Sequence, residues 1–120
     1  MEIPKPTEAD KEYFRSLMPR GPDVEVKPMF GNLGAFVYGN MFAGLFGSSV
    51  GVKLGDADRA ELAAVAGSGP FGPEERPMGG YLSLPAAWRD STELAAEWVA
   101  RALSHVSTLP PKKAKPSKKT

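Results

Sequence analysis

The stretch LGAFVYGNMFAGLFGSSVGVKL, residues 33–54, decides the fold. It is too apolar for a surface loop, and it is punctuated by turn signals rather than helix caps. Tyr38-Gly39-Asn40-Met41 reads as a two-residue hairpin with glycine first, which predicts a type II′ turn joining Leu33–Tyr38 to Met41–Phe46. Gly47-Ser48-Ser49 then turns the chain into Val50–Leu54, completing a three-stranded antiparallel meander. In the register of that turn, residue 38 faces 41 and 36 faces 43. Phe36, Tyr38, Met41, Ala43 and Leu45 are therefore expected on one face, with Leu33, Ala35, Val37, Phe42 and Phe46 on the other. A sheet with one wet face alternates apolar with polar residues, and this one does not, so both faces need cover.

The flanks supply helices. Thr7 followed by Asp10 is an N-terminal signal for a helix to about Met18, with an apolar stripe of Tyr13, Phe14, Leu17 and Met18. Pro19, Gly21 and Pro22 end it. Val24 and Val26 alternate with Glu25 and Lys27 in a short strand, and Pro28, which donates no backbone hydrogen bond, places that strand at an edge or a strand end. After the meander, a helix is expected from about Asp56 to Gly67, carrying Leu62, Val65 and Ala66. A Gly/Pro-rich loop from Ser68 to Pro77 and one or two strands including Tyr81–Leu84 follow. The last helix starts at a capping-box-like Asp90 and Glu93 and carries Leu94, Ala95, Trp98, Val99, Ala102, Leu103 and Val106 at helical spacing.

The predicted fold class is thus α+β, a two-layer arrangement of an antiparallel sheet packed with helices, in the order α-β(3-4)-α-β(1-2)-α. With 120 residues the chain suits one core and not two. The expected domain spans residues 1–106. Residues 107–120 are mostly lysine, proline, alanine and serine and read as a disordered tail.

Composition narrows the function. There is no cysteine, which removes disulfides, zinc–thiolate sites and thiol catalysis. The start of the chain has no apolar leader and no apolar run spans a membrane, so a cytoplasmic, membrane-free protein is expected. The net charge of +1 conceals an asymmetry, because residues 107–120 hold Lys112, Lys113, Lys115, Lys118 and Lys119 and no acid, leaving −4 on residues 1–106. Weak, non-specific contact with nucleic acid is therefore a property expected of the tail, and a solvated terminus is its alternative.

The segment Val26-Lys27-Pro28-Met29-Phe30-Gly31 resembles the strand ending in a basic residue and Met-Phe-Gly of the TfoX/Sxy N-terminal domain family, named for bacterial competence regulators. The likeness continues through Tyr38-Gly39-Asn40-Met41-Phe42-Ala43, Val52-Lys53, Gly67-Ser68-Gly69-Pro70-Phe71, Pro77-Met78, Leu84-Pro85 and Trp98, and covers about residues 8–106. Asn32 stands where a second glycine is common, and Gly51 where an aromatic residue is frequent. The resemblance implies a secretion-chaperone-like α+β architecture and no known enzyme activity. The regulators carry a second, C-terminal domain, so the expectation here is the N-terminal domain standing alone. It makes Lys27, Met29, Phe30, Gly31, Phe42 and Lys53 candidate interaction residues, facing a protein partner or a second copy. The same apolar side chains are equally at home in a core.

Apparent catalytic motifs are outweighed by plainer readings. Gly47-Ser48-Ser49-Val50-Gly51 matches G-x-S-x-G, with Asp90 and His105 following in the order of an esterase triad. A nucleophile elbow needs a strand turning into a helix, and this segment turns strand into strand. A lone His105 lacks partners for a metal site and reads as a surface residue near a helix C-terminus. Asp56 with Asp58 suits a helix start, and Glu74 with Glu75 suits a solvated loop. No catalytic residue, cofactor or metal is expected.

Overall fold

A computed structural model describes residues 5–19, 23–29, 31–72 and 79–110. Helix α1 (Glu8–Leu17) is followed by strands β1 (Val24–Met29), β2 (Asn32–Val37), β3 (Asn40–Phe46) and β4 (Ser49–Lys53). Helix α2 (Asp56–Ala63), strands β5 (Gly69–Pro70) and β6 (Tyr81–Ser83), a 3-10 turn over Ala86–Asp90 and helix α3 (Thr92–Ser107) are the remaining elements among the described residues. The six strands form one antiparallel sheet in the order β1-β2-β3-β4-β6-β5. The α+β class and the order of elements are those read from the sequence.

Local chemistry sets the ends of the elements. Thr7 Oγ1 accepts from the Asp10 backbone N–H at 3.0 Å while Asp10 Oδ2 accepts from the Thr7 N–H at 2.9 Å, a reciprocal capping box that satisfies two N-terminal donors of α1. Helix α3 has no such box. Asp90 closes the preceding 3-10 turn and Ser91 is the N-cap without a side-chain bond, which corrects the expected Asp90/Glu93 cap. Helix α2 stops at Ala63 with Ala64 as its C-cap, which corrects the expected end at Gly67. Val65 and Ala66 lie in the turns beyond it, where the Ser68 hydroxyl donates to the Leu62 and Val65 carbonyls at 2.8 Å and Gly67 takes a positive φ of 95°. The Gly/Pro-rich segment after it contains β5, a two-residue strand that the sequence does not announce.

The hairpin register differs from the predicted one. Tyr38 and Gly39, with φ of 53° and 83°, are the two central turn residues, and both lie in the left-handed region. This is the type I′ pattern rather than type II′, and it pairs Val37 with Asn40 and Phe36 with Met41. A β-bulge follows, so that Ala35 pairs with Ala43 and Phe42 is the extra residue. The bulge sends both Phe42 and Ala43 into the core and returns Met41 to the opposite face, which corrects the face assignment made from strict alternation.

The inner face carries Leu33, Ala35 and Val37 of β2, Phe42, Ala43 and Leu45 of β3, and Val50 and Val52 of β4. All of them join one buried cluster with Phe14 and Leu17 of α1, Leu62 of α2 and Ala95, Trp98, Val99, Ala102 and Val106 of α3. Each fully buried large side chain contributes about 1.5–3 kcal/mol relative to exposure. Leu109, beyond α3, packs against the same cluster, and Asn40 Nδ2 donates to the Pro110 carbonyl at 3.0 Å, which fixes the chain beside the β2–β3 hairpin. Leu94, expected on the buried stripe of α3, is 43% exposed. Strand β1 is the edge that Pro28 predicts, with Pro28 opposite Leu33.

Candidate functional site

The outer face of the sheet has an unusual floor. Gly34, Gly44 and Gly51 occupy adjacent strands in register, Gly34 opposite Gly44 and Gly44 opposite Gly51, so three neighbouring strands present bare backbone. Aromatic and sulfur side chains lie on it. The Phe71 ring, buried to 3% exposure, rests on Gly51 and reaches Gly44, while Phe36 and the Met41 sulfur close over Gly34. Phe71 meets Phe46 edge-on and Tyr81 at a tilt, each with ring centres 6.2 Å apart. Tyr81 donates its hydroxyl to the Met41 carbonyl at 2.8 Å, and burial pushes its phenol pKa up to about 12.

This layer answers the question of cover. The three helices contribute to the core on the inner face, and Phe71, the residue after edge strand β5, covers the β4 end of the outer face. Phe36, Met41, Phe46 and Tyr81 remain half-buried. Lys27 and Lys53 stand at the two sides of this layer. Lys27 Nζ lies 5.1 Å from the Phe36 ring centre and 3.5 Å from Glu25, and Lys53 Nζ lies 5.8 Å from the Tyr81 ring centre. Each ammonium group thus lies within cation–π range of an aromatic ring at the margin of the layer.

Of the other candidate interaction residues, Phe42 is fully buried in the inner core and is removed from any docking patch, the bulge being the cause. Gly31 is exposed, with φ of 82°, and serves the β1–β2 turn. The Met29 side chain and the whole of Phe30 lie outside the described residues. So do Glu74 and Glu75 and the tail lysines 112, 113, 115, 118 and 119. Asn32 and Gly51, the two departures from the family pattern, both have structural work. Asn32 is buried and its Oδ1 accepts the Gly47 N–H at 2.8 Å, joining the β1–β2 and β3–β4 turns. Gly51 makes room for Phe71. The signal for this site was present as glycines spaced along three strands, but only the register turns them into one floor.

The triad-like residues do not assemble. Ser49 begins β4 whereas His105, half-buried in the last turn of α3, packs its Nδ1 edge over Gly55 beyond the far end of that strand. Six residues of strand rise separate the two places by roughly 20 Å. Asp56 and Asp58 pair with Arg59 at 3.1 Å and Arg101 at 3.2 Å, and among the described residues no group of three or more acids or histidines is arranged to hold a metal ion. No helix among them is long and apolar enough to cross a membrane.

The model of the TfoX N-terminal domain family matches residues 12–106. The chain belongs to the TfoX N-terminal domain family. The matched span runs from α1 to the end of α3, so the glycine floor, its aromatic layer and both lysines are parts of this TfoX N-terminal domain. The family is not a known catalytic one. A search of the curated proteins finds no match to the chain.

Proposed function

We propose that this TfoX N-terminal domain is a non-enzymatic contact module in a regulatory setting. Its outer sheet face receives a segment of a partner protein that carries apolar side chains between acidic ones. The observation that carries this reading is the half-buried Phe36, Met41, Phe46 and Tyr81 layer, flanked by Lys27 and Lys53. An apolar centre with a charged rim is the usual anatomy of a protein-binding surface. The two ammonium groups select acidic flanks. The test is co-purification of a specific partner by the full chain and by Phe36→Ser and Lys53→Glu variants, with Leu94→Ser as a control on the exposed side of α3. Loss with the first two and retention with the control supports the reading. Recovery of no specific partner, or equal retention by all variants, removes it.

A second reading rests on the five lysines of residues 112–119, unaccompanied by any acid. On this reading the tail holds nucleic acid through phosphate contacts, which makes affinity fall steeply with salt. A salt titration on duplex DNA compares the full chain with one ending at Pro110, which keeps Leu109 on the core and the Asn40 contact. Equal absence of binding at low salt eliminates this reading, and loss on truncation assigns it to the tail.

A further inference from the structure

A cavity of about 180 Å³ lies between the β3–β4 turn, α1 and the 3-10 turn. Its lining is of mixed character. Among the described residues Arg89 is the only charged side chain in that lining, and Ser48 and Ser49, which share it, form no side-chain hydrogen bond with any other described residue. Val50, Leu84, Pro85 and Ala86 supply its apolar part.

The guanidinium is held in place from behind. Asp10 Oδ1 takes Arg89 Nη2 at 2.9 Å while Asp10 Oδ2 is occupied by the Thr7 N–H. Tyr13 lies beneath, with its ring centre 4.5 Å from the Arg89 guanidinium carbon, and its hydroxyl donates to the Trp88 carbonyl at 3.3 Å. An arginine has five N–H donors in a rigid fork, and the ion pair with Asp10 leaves others available. The capping box of α1 thus also orients a cation at a cavity.

We propose that this cavity is a binding site for a small organic carboxylate. Its carboxylate group takes hydrogen bonds from Arg89 and from the Ser48 and Ser49 hydroxyls, and its apolar body lies against Leu84 and Pro85. Size limits the ligand. A cavity of about 150 Å³ accepts benzene, whereas drug-sized ligands occupy ~300 Å³ or more, so the occupant has the bulk of benzoate and not of a nucleotide. Because Asp10 offsets part of the Arg89 charge, recognition depends on directed hydrogen bonds, and dissociation constants in the millimolar range are expected.

The test is a titration of the isotope-labelled full chain with sodium benzoate, followed by amide chemical shifts, with benzyl alcohol as a neutral probe of similar shape. Saturable shifts at Ser48, Ser49, Ala86 and Arg89 are expected for benzoate, with benzyl alcohol at least about tenfold weaker. The double variant Ser48→Ala, Ser49→Ala removes two hydroxyls from the surface and leaves the Asp10 pair intact. It is expected to weaken benzoate about fivefold, the effect of one ordinary hydrogen bond. Arg89→Lys keeps the charge and is expected to weaken it further, because a point charge does not reproduce the fork. Absence of saturable shifts, equal response to both probes, shifts mapping to another face, or no loss in either variant each overturns the assignment.

Discussion

Phe71 lies on the bare backbone of Gly51: a Cβ added to Gly51 would stand 2.3 Å from the ring. Backbone and ring are thereby complementary in a way that neither residue reveals alone. Gly51→Ala is expected to cost about 1–3 kcal/mol through overpacking, and much less in a Phe71→Ala background where the ring is gone. Urea denaturation of the two single variants and the double variant measures this coupling. Equal cost of Gly51→Ala in both backgrounds would show that the ring does not impose the glycine.

Asn32 and Gly47 form the second such relationship. Removing the amide oxygen in Asn32→Ala leaves the Gly47 N–H without its acceptor in a buried turn, with an expected loss of about 1–3 kcal/mol. Hydrogen exchange at Gly47 is the direct readout and should accelerate in the variant. Unchanged exchange would mean that another group satisfies the donor.

Asp10 makes stability depend on pH at the acid end. The hydrogen bond from the Thr7 backbone N–H lowers its pKa below the ordinary carboxylate value of 3.8, with Arg89 helping and burial opposing. Because the folded-state pKa is the lower one, the contribution is fully present above the unfolded value and is lost as pH falls through the folded value. Asp10→Asn is therefore expected to destabilise the domain by roughly 1 kcal/mol near neutral pH, the scale of a helix cap. The gap between variant and wild type should close as pH falls below 3.8. A gap that persists unchanged in acid would separate the loss from the charge.

Tyr81 acts at the alkaline end. Its folded-state pKa of about 12 exceeds the ordinary phenol value of 10.0 because burial disfavours the phenolate. The folded state therefore holds the proton more tightly, and stability falls as pH rises from about 10 towards 12. Tyr81→Phe should flatten that fall, at the cost of the hydrogen bond to Met41. Thermal unfolding across the alkaline range checks this, with ultraviolet absorbance following the phenolate.

The sequence makes the long elements plain because their signals are local. Thr7 with Asp10, the stripe of α3 and the edge position of Pro28 all follow from spacing or from one residue's covalent chemistry. Tyr38-Gly39-Asn40-Met41 announces the hairpin but not its register. A tyrosine with positive φ at Tyr38 runs against ordinary preference, and nothing in the alternation of residues 33–46 marks the extra residue at Phe42. Strict alternation therefore puts Phe42 and Phe46 on one face, whereas the bulge separates them, with Phe42 in the core and Phe46 half-buried beside Phe71 on the outer face. Phe71 follows a Gly-Pro pair in a segment without periodicity, so its role depends on β6 arriving from later in the chain. The Arg89 cavity joins segments distant in sequence, and only their packing brings Ser48, Ser49 and Arg89 into one lining.

The edge position of Pro28 bears on how the protein behaves when concentrated. An exposed strand edge invites templated growth into fibres, and β1 is six residues long, enough to seed it. Pro28 withholds one donor from any incoming strand, and the outward-facing Glu25 and Lys27 require a newcomer to match alternating charges. The same residues that open the family's Met-Phe-Gly signature thus also guard the sheet against self-templated aggregation.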